Sequence, residues 1–120
     1  MVNRSLQPQE IEVFYILPAL RRDLALALKE SGKSQKQIAG LLQVTESAIS
    51  QYMSSKRAAS VPFDDAIKKK IAQAAGRIVD KASLTCEMQK LLRLIRDEKI
   101  ICKVHARIGD VPEECRVCFE

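Results

Sequence analysis

Tryptophan is absent from this 120-residue chain, aromatic side chains make up only 4% of it, and it has four glycines, four prolines and a single histidine. Each scarcity excludes something. Few aromatics, with leucine, isoleucine, alanine, lysine and glutamate abundant, disfavour a β-sheet core and suit packed helices. Four glycines leave no phosphate-cradling loop, and one histidine leaves no Ser-His-Asp arrangement, so an enzyme is not expected. A thiol oxidoreductase is disfavoured too, because a CxxC pair in that role belongs to a βαβ context that is missing here. No apolar run approaches the roughly 18 residues of a membrane span. The opening MVNRSLQPQE is polar and unlike a secretory signal, so a cytoplasmic protein is expected.

What is present favours a folded helical domain. Hydrophobic residues make up 47% of the chain, ample for a core, and disorder is disfavoured. Twenty basic against fifteen acidic side chains give a net charge of +5, a moderate excess that fits a polyanionic partner without demanding one. Its placement is more telling. Between residues 21 and 57, Arg21, Arg22, Lys29, Lys33, Lys36, Lys56 and Arg57 face only Asp23, Glu30 and Glu46.

Pro8, followed by Gln9 and Glu10, reads as a helix start. Pro18 disfavours helical backbone at the residue before it, which predicts either two helices, Ile11 to Leu17 and Ala19 to Glu30, or one kinked helix ending at Gly32. The second part carries a stripe of Leu20, Leu24, Ala27 and Leu28. The run Val13 to Leu17 is apolar almost all round and predicts packing against more than one neighbour, a second subunit among the candidates. Ser54 to Ser60 reads as a polar, basic connection. Asp64 and Asp65 then open a helix with Ile67, Ile71, Ala74 and Ala75 on one face. Gly76 is expected to loosen a junction. Residues 77–98 hold another helix, with Leu84, Met88, Leu91, Leu92 and Ile95 on its apolar face and Ser83 or Thr85 as its cap. From Lys99 onward, Gly109, Pro112 and three cysteines obscure any helical period, which predicts a loop-rich or short-stranded tail.

The most informative stretch is SQKQIAGLLQVTESAISQYM, Ser34 to Met53. Ser34 with Gln37 three positions on is a capping-box signature, so a helix is expected from Gln35, carrying Ile38, Ala39, Leu41 and Leu42 and ending near Gln43. Thr45 caps a second helix whose apolar positions Ala48, Ile49, Tyr52 and Met53 form one stripe. Glu46, Ser47, Ser50, Gln51 and Ser54 occupy the other face. Small Ala39 allows the helices to approach, and Val44 plugs the corner of the turn.

With Gln35, Ala39, Val44 and Ile49 at these positions, the segment resembles the helix-turn-helix of the phage-repressor (Xre or Cro-like) family of transcription regulators, and the resemblance spans residues 18–75. One position departs from it: a turn residue that is often glycine in the family is Gln43, which has to accept a left-handed backbone or a different turn. The resemblance implies an all-α helix-turn-helix domain over residues 1–76, with its motif at 34–54, extended by an additional N-terminal helix. Residues 77–120 are then a C-terminal helix plus a cysteine-rich loop segment. It also implies double-stranded DNA and a homodimer as partners, with the helix from Thr45 in the major groove. Gln51 suits adenine, Ser47 and Ser50 suit either kind of base edge, and Glu46 suits cytosine, while Gln35, Lys36, Lys56 and Arg57 suit phosphates. An antitoxin or adaptor that uses the helices to hold a protein is the alternative.

Cys86, Cys102, Cys115 and Cys118 all fall in the last 35 residues, spaced C-x15-C-x12-C-x2-C, and the preceding part has none. In a reducing compartment such a set suggests a shared metal site more than disulfides. Cys86 falls off the Met88 and Ile95 stripe, where a packing cysteine would not sit. All-cysteine zinc sites commonly use two CxxC knuckles and this chain has one, which tilts the expectation towards a 4Fe-4S cluster, with zinc as the alternative. His105 is a possible substitute ligand, although four cysteines already complete a site. The whole chain resembles small archaeal and bacterial regulators of the repressor type with a cysteine-bearing tail, and within that group an iron–sulfur sensor of redox state, oxygen or iron is expected. No small-molecule substrate is indicated.

Overall fold

The computed structural model describes residues 6–108, and every described element is helical. The chain starts with α1 (Pro8–Ile11), where the Gln7 amide donates to Glu10 Oε1 at 2.9 Å and Pro8 occupies the first turn. A π-helical turn, Glu12–Ile16, follows and runs directly into α2 (Leu17–Glu30). Pro18 therefore does not separate two helices, and the helical path from Pro8 to Glu30 is continuous. The reason is local. Proline has no amide hydrogen, and in a regular helix its ring presses on the carbonyl four residues back. Here the Leu17 amide donates instead to the Glu12 carbonyl, five residues back, so the backbone is widened where the ring needs room and Pro18 sits in the first turn of α2. Ile11 and Ile16 are fully buried at either end of this turn, while Val13 and Phe14 point outward, 55% and 41% exposed.

α2 is the central helix. Leu20, Leu24, Ala25 and Leu28 form its buried face, and α3, α4, α5 and α6 pack around it. It ends where Gly32 adopts a left-handed conformation (φ 96°), with the Lys33 amide donating to the Leu28 carbonyl at 3.1 Å and the Gly32 amide to that of Lys29 at 3.0 Å. These are the two bonds of a Schellman motif. Next come α3 (Gln35–Leu42) and α4 (Glu46–Ser54), then α5 (Lys56–Ala59), a short helix inside the stretch expected to be only a polar connection. Ser55 ends α4 and caps α5 through its Oγ, which accepts from the Ala58 amide.

α6 (Asp65–Arg77) begins as expected at Asp64, whose carboxylate accepts from the Ile67 amide at 2.8 Å. Gly76 lies inside this helix, one residue before its end. α7 (Lys81–Asp97) buries Met88, Leu91, Leu92 and Ile95, as its periodicity predicts, but its cap is Asp80, not Ser83 or Thr85. Asp80 accepts from the Ser83 amide, Ser83 Oγ receives the Asp80 amide in return, and Thr85 is already within the helix, donating to the Lys81 carbonyl. Hydrogen bonds to its carboxylate, the one from the Ser83 backbone above all, hold Asp80 below its usual range.

The largest correction falls at the end of the described chain. Residues 100–107 are not loop or strand but α8 (Ile100–Arg107), with Ile100, Ile101, Val104 and His105 buried at i, i+1, i+4 and i+5. Lys99, left-handed at φ 59°, breaks the axis between α7 and α8. α8 packs on α1, the π turn and α7, and one hydrophobic cluster runs from Ile11 to Val104 across both halves of the chain. No helix among the described residues is long and apolar enough to cross a membrane.

Three polar ties close the outer helices onto this core. Arg96 donates to both carboxylate oxygens of Glu12, at 3.3 and 3.0 Å, and so joins α7 to the π turn. Arg107 donates to the Ser60 carbonyl at 2.7 Å and joins α8 to the end of α5. Glu87 on α7 takes Arg77 at 2.9 Å and Lys90 at 3.4 Å. The hydrogen bond from Arg77 is the main cause that holds the Glu87 carboxyl below its ordinary value. A carboxyl lowered on folding stabilises the fold above its unfolded value and loses that contribution as pH falls through the folded one. Replacing Glu87 by Gln is therefore expected to destabilise the protein at neutral pH and to make no difference in acid. Denaturant midpoints of the two proteins across pH check this, and a gap that persists unchanged into acid refutes it.

Candidate nucleic-acid interface

The two helices α3 and α4 are built by local bonds that their residues specify. Ser34 Oγ accepts from the Gln37 amide at 3.2 Å, and Gln37 Oε1 receives the Ser34 amide at 2.8 Å, the reciprocal pair of a capping box. Thr45 Oγ1 accepts from the Ala48 amide at 3.0 Å and starts α4. Between them Gln43 is left-handed, φ 57° and ψ 41°, the conformation that its position in the turn demands. The Val44 amide reaches back to the Ala39 carbonyl at 3.0 Å, and Gln43 Nε2 donates to the Gly40 carbonyl at 2.8 Å. Ile38, Ala39, Leu42 and Ile49 are buried beneath, and Val44 and Met53 pack against them.

A longer-range contact then sets the helices relative to each other. Gln35, first residue of α3, donates through Nε2 to the Glu46 carbonyl and to Ser50 Oγ, both at 3.1 Å. Gln35, expected as a phosphate contact, spends both Nε2 hydrogens as the brace between α3 and α4, which leaves its side chain only an acceptor. Ser50 accepts this bond, which leaves its own hydroxyl hydrogen for a further acceptor.

The remaining expected residues share this end of the molecule. Lys36 is exposed on α3; Glu46, Ser47, Ser50 and Gln51 are exposed along α4; Lys56 and Arg57 are exposed on α5. Arg57 does not extend freely, because its guanidinium lies 5.7 Å from the centroid of the Tyr15 ring. Three further cations belong here. Lys29 and Lys33 line a groove of about 530 Å³ with Ser34, Gln35, Ser50 and Met53, and Arg21 stands 5.8 Å from the Tyr52 ring centroid. All three were counted in the local charge excess, but nothing in their own spacing gave them a position.

The cysteines separate. Cys86 is exposed on α7 and Cys102 half-buried in the first turn of α8; Cys115 and Cys118 lie outside the described residues. From Cys86 to the end of α7 the helix rises about 16 Å, far more than the first turn of α8 could return. A tetrahedral zinc site, with sulfurs about 2.3 Å from the metal, needs its cysteines much closer. Among the described residues no group of three or more His, Cys, Asp or Glu side chains is placed to hold a metal ion. Cys86 and Cys102 thus stand apart along α7 and α8, further than one zinc ion spans, and His105 is buried in the core face of α8.

Two measurements follow from this geometry. A left-handed backbone costs a side-chain-bearing residue about 1 kcal/mol relative to glycine, so Gln43→Gly is expected to raise stability by about 0.5–1 kcal/mol in denaturant unfolding. A loss would show that the bond to the Gly40 carbonyl outweighs the strain. In the full chain purified without oxygen, Cys86 should react with a maleimide as fast before chelator treatment as after it, read by mass spectrometry of the labelled peptide. Labelling of Cys86 only after chelation would restore the four-cysteine centre. The chain matches no protein-family model, no curated protein and no solved structure, so what it does has to be argued from these residues and their arrangement.

Proposed function

We propose that this chain is a sequence-specific regulator of transcription that binds double-stranded DNA as a homodimer and lays α4 in the major groove. The observation that carries this reading is the exposed face of α4. Glu46, Ser47, Ser50, Gln51 and Ser54 are all short or flexible hydrogen-bonding side chains open to solvent, on a helix whose other side is anchored by Ile49. Such a face matches the donor and acceptor pattern of base edges, and α4 is narrow enough for the groove. Lys29, Lys33, Lys36 and Lys56 surround it, and phosphates need cations there.

The parts divide by chemistry. Gln51 can pair with adenine through two hydrogen bonds, Glu46 can accept from cytosine, and Ser50, already accepting from Gln35, donates. Lys36 and Lys56 hold phosphates and carry no sequence information. Two-fold pairing of subunits would present two copies of α4 to a palindromic site. How α4 meets DNA needs no iron–sulfur cluster or zinc, and Cys115 and Cys118 of the expected set lie outside the described residues. The adaptor or antitoxin reading has Val13 and Phe14 in its favour, the exposed apolar pair on the π turn. Two side chains make a small patch, and α4 itself exposes no large apolar residue that would hold a protein.

Selection from a random duplex library tests the reading. The protein should enrich a two-fold symmetric sequence. Gln51→Ala is expected to relax the preference at one position per half-site at a cost of about 1–3 kcal/mol. Lys56→Ala should weaken all sequences alike and lower the slope of log affinity against log salt by about 0.9. Failure to enrich any sequence sinks the proposal, and equal loss on every sequence for both variants sinks the assignment of α4.

A further inference from the structure

We infer that Lys56, Arg57 and Arg107 form one phosphate-holding groove, which makes α8 part of the DNA interface; this rests on the DNA-binding reading of α4. The groove, of about 300 Å³, lies where α5, the π turn and α8 meet, and is lined by these three cations with Tyr15, Ser60 and Val104. None of its lining residues is acidic. Three positive side chains gathered around one depression without a carboxylate repel one another, and an anion there relieves that repulsion.

Two of the three are already in place. The Arg57 guanidinium rests against Tyr15, and a guanidinium stacked on a ring keeps its in-plane N–H groups available to an oxygen ligand. Arg107 uses one of its five donors on the Ser60 carbonyl, 2.7 Å away, which leaves donors for a phosphate in the fork geometry that suits it. Cations held before the ligand arrives lose less side-chain freedom on binding. Lys56 is continuous with α4, because Ser55 is at once the end of α4 and the cap of α5. A strand whose base edges meet α4 therefore has its next phosphates beside this groove. The chemistry, planar bidentate donors plus a lysine with no carboxylate competing, fits a phosphodiester backbone rather than an apolar or cationic partner.

The experiment compares wild type, Arg107→Gln and Lys103→Gln on a mixed-sequence duplex between about 50 and 200 mM salt. The Gln variant at 107 removes the charge while keeping a donor for the Ser60 carbonyl, and circular dichroism reports whether its fold is retained. Lys103 is the control, exposed on the same helix and outside the groove. Arg107→Gln should bind about five- to tenfold more weakly near 0.1 M salt, with the salt slope reduced by about 0.9, and Lys103→Gln should match wild type. Arg107→Lys should recover most of the loss. Equal effects at 107 and 103, or an unchanged slope in a folded Arg107→Gln, overturn the groove while leaving the α4 reading intact. Wild type that holds no duplex at any salt in this range overturns that reading itself.

Discussion

The burial of one face of α2 is the constraint on which the other elements depend. Leu20, Leu24 and Ala25 are shut off from water completely, Leu28 nearly so, and α3, α4, α5 and α6 all rest against this helix. A fully buried leucine contributes about 1.5–3 kcal/mol, so a few such side chains set the position of everything around them. Alanines do the complementary work. Ala19, Ala25, Ala39, Ala58, Ala74 and Ala75 are all buried, and where helices meet through methyl groups their axes can lie close. A face as exposed and polar as that of α4 contributes little to its own stability, and it keeps one orientation because Ile49 and the Gln35 brace hold it from behind.

The parts of this arrangement that were legible in the sequence are those made by neighbours in the chain. Ser34 with Gln37, Thr45 with Ala48 and Asp64 with Ile67 are bonds across three residues, so their partners can be read directly. The resemblance left Gln43 either a left-handed backbone or a different turn, and the structure takes the first. The stripes of α2, α6 and α7 repeat at the helical period and were equally plain. What escaped has two causes. α8 carries a short stripe beside Gly109, Pro112 and a scatter of cysteines, and breakers in the same window hid its period. Pro18 left two helices or one kinked helix open, because a proline normally breaks or bends a regular helix and a π turn upstream leaves no mark of its own.

Contacts between distant residues form the other class. The bond from Gln35 to Ser50 joins two elements through a side chain whose own surroundings look like any exposed helix start. Arg107 and Ser60 are further apart still, and only the docking of α8 against the π turn brings them together. The cysteine pattern shows the same limit from the opposite side. Four thiols in a short stretch suggest one centre, but composition alone does not show the long helix that runs between Cys86 and Cys102.

The continuity of the helix through Pro18 has a mechanical side. From Pro8 to Glu30 the backbone is one strut, tied at its first end to α7 by the Glu12 and Arg96 pair and to α8 by packing, and passing at its other end through Gly32 into α3. Its softest point is the π turn, where the ladder is already widened by a residue. A push on α8 therefore meets the π turn at Glu12–Ile16 before it meets the regular helix that leads to the base of the α3–α4 pair. The proline that looked like a place where the chain gives way is what sets the compliance of that strut.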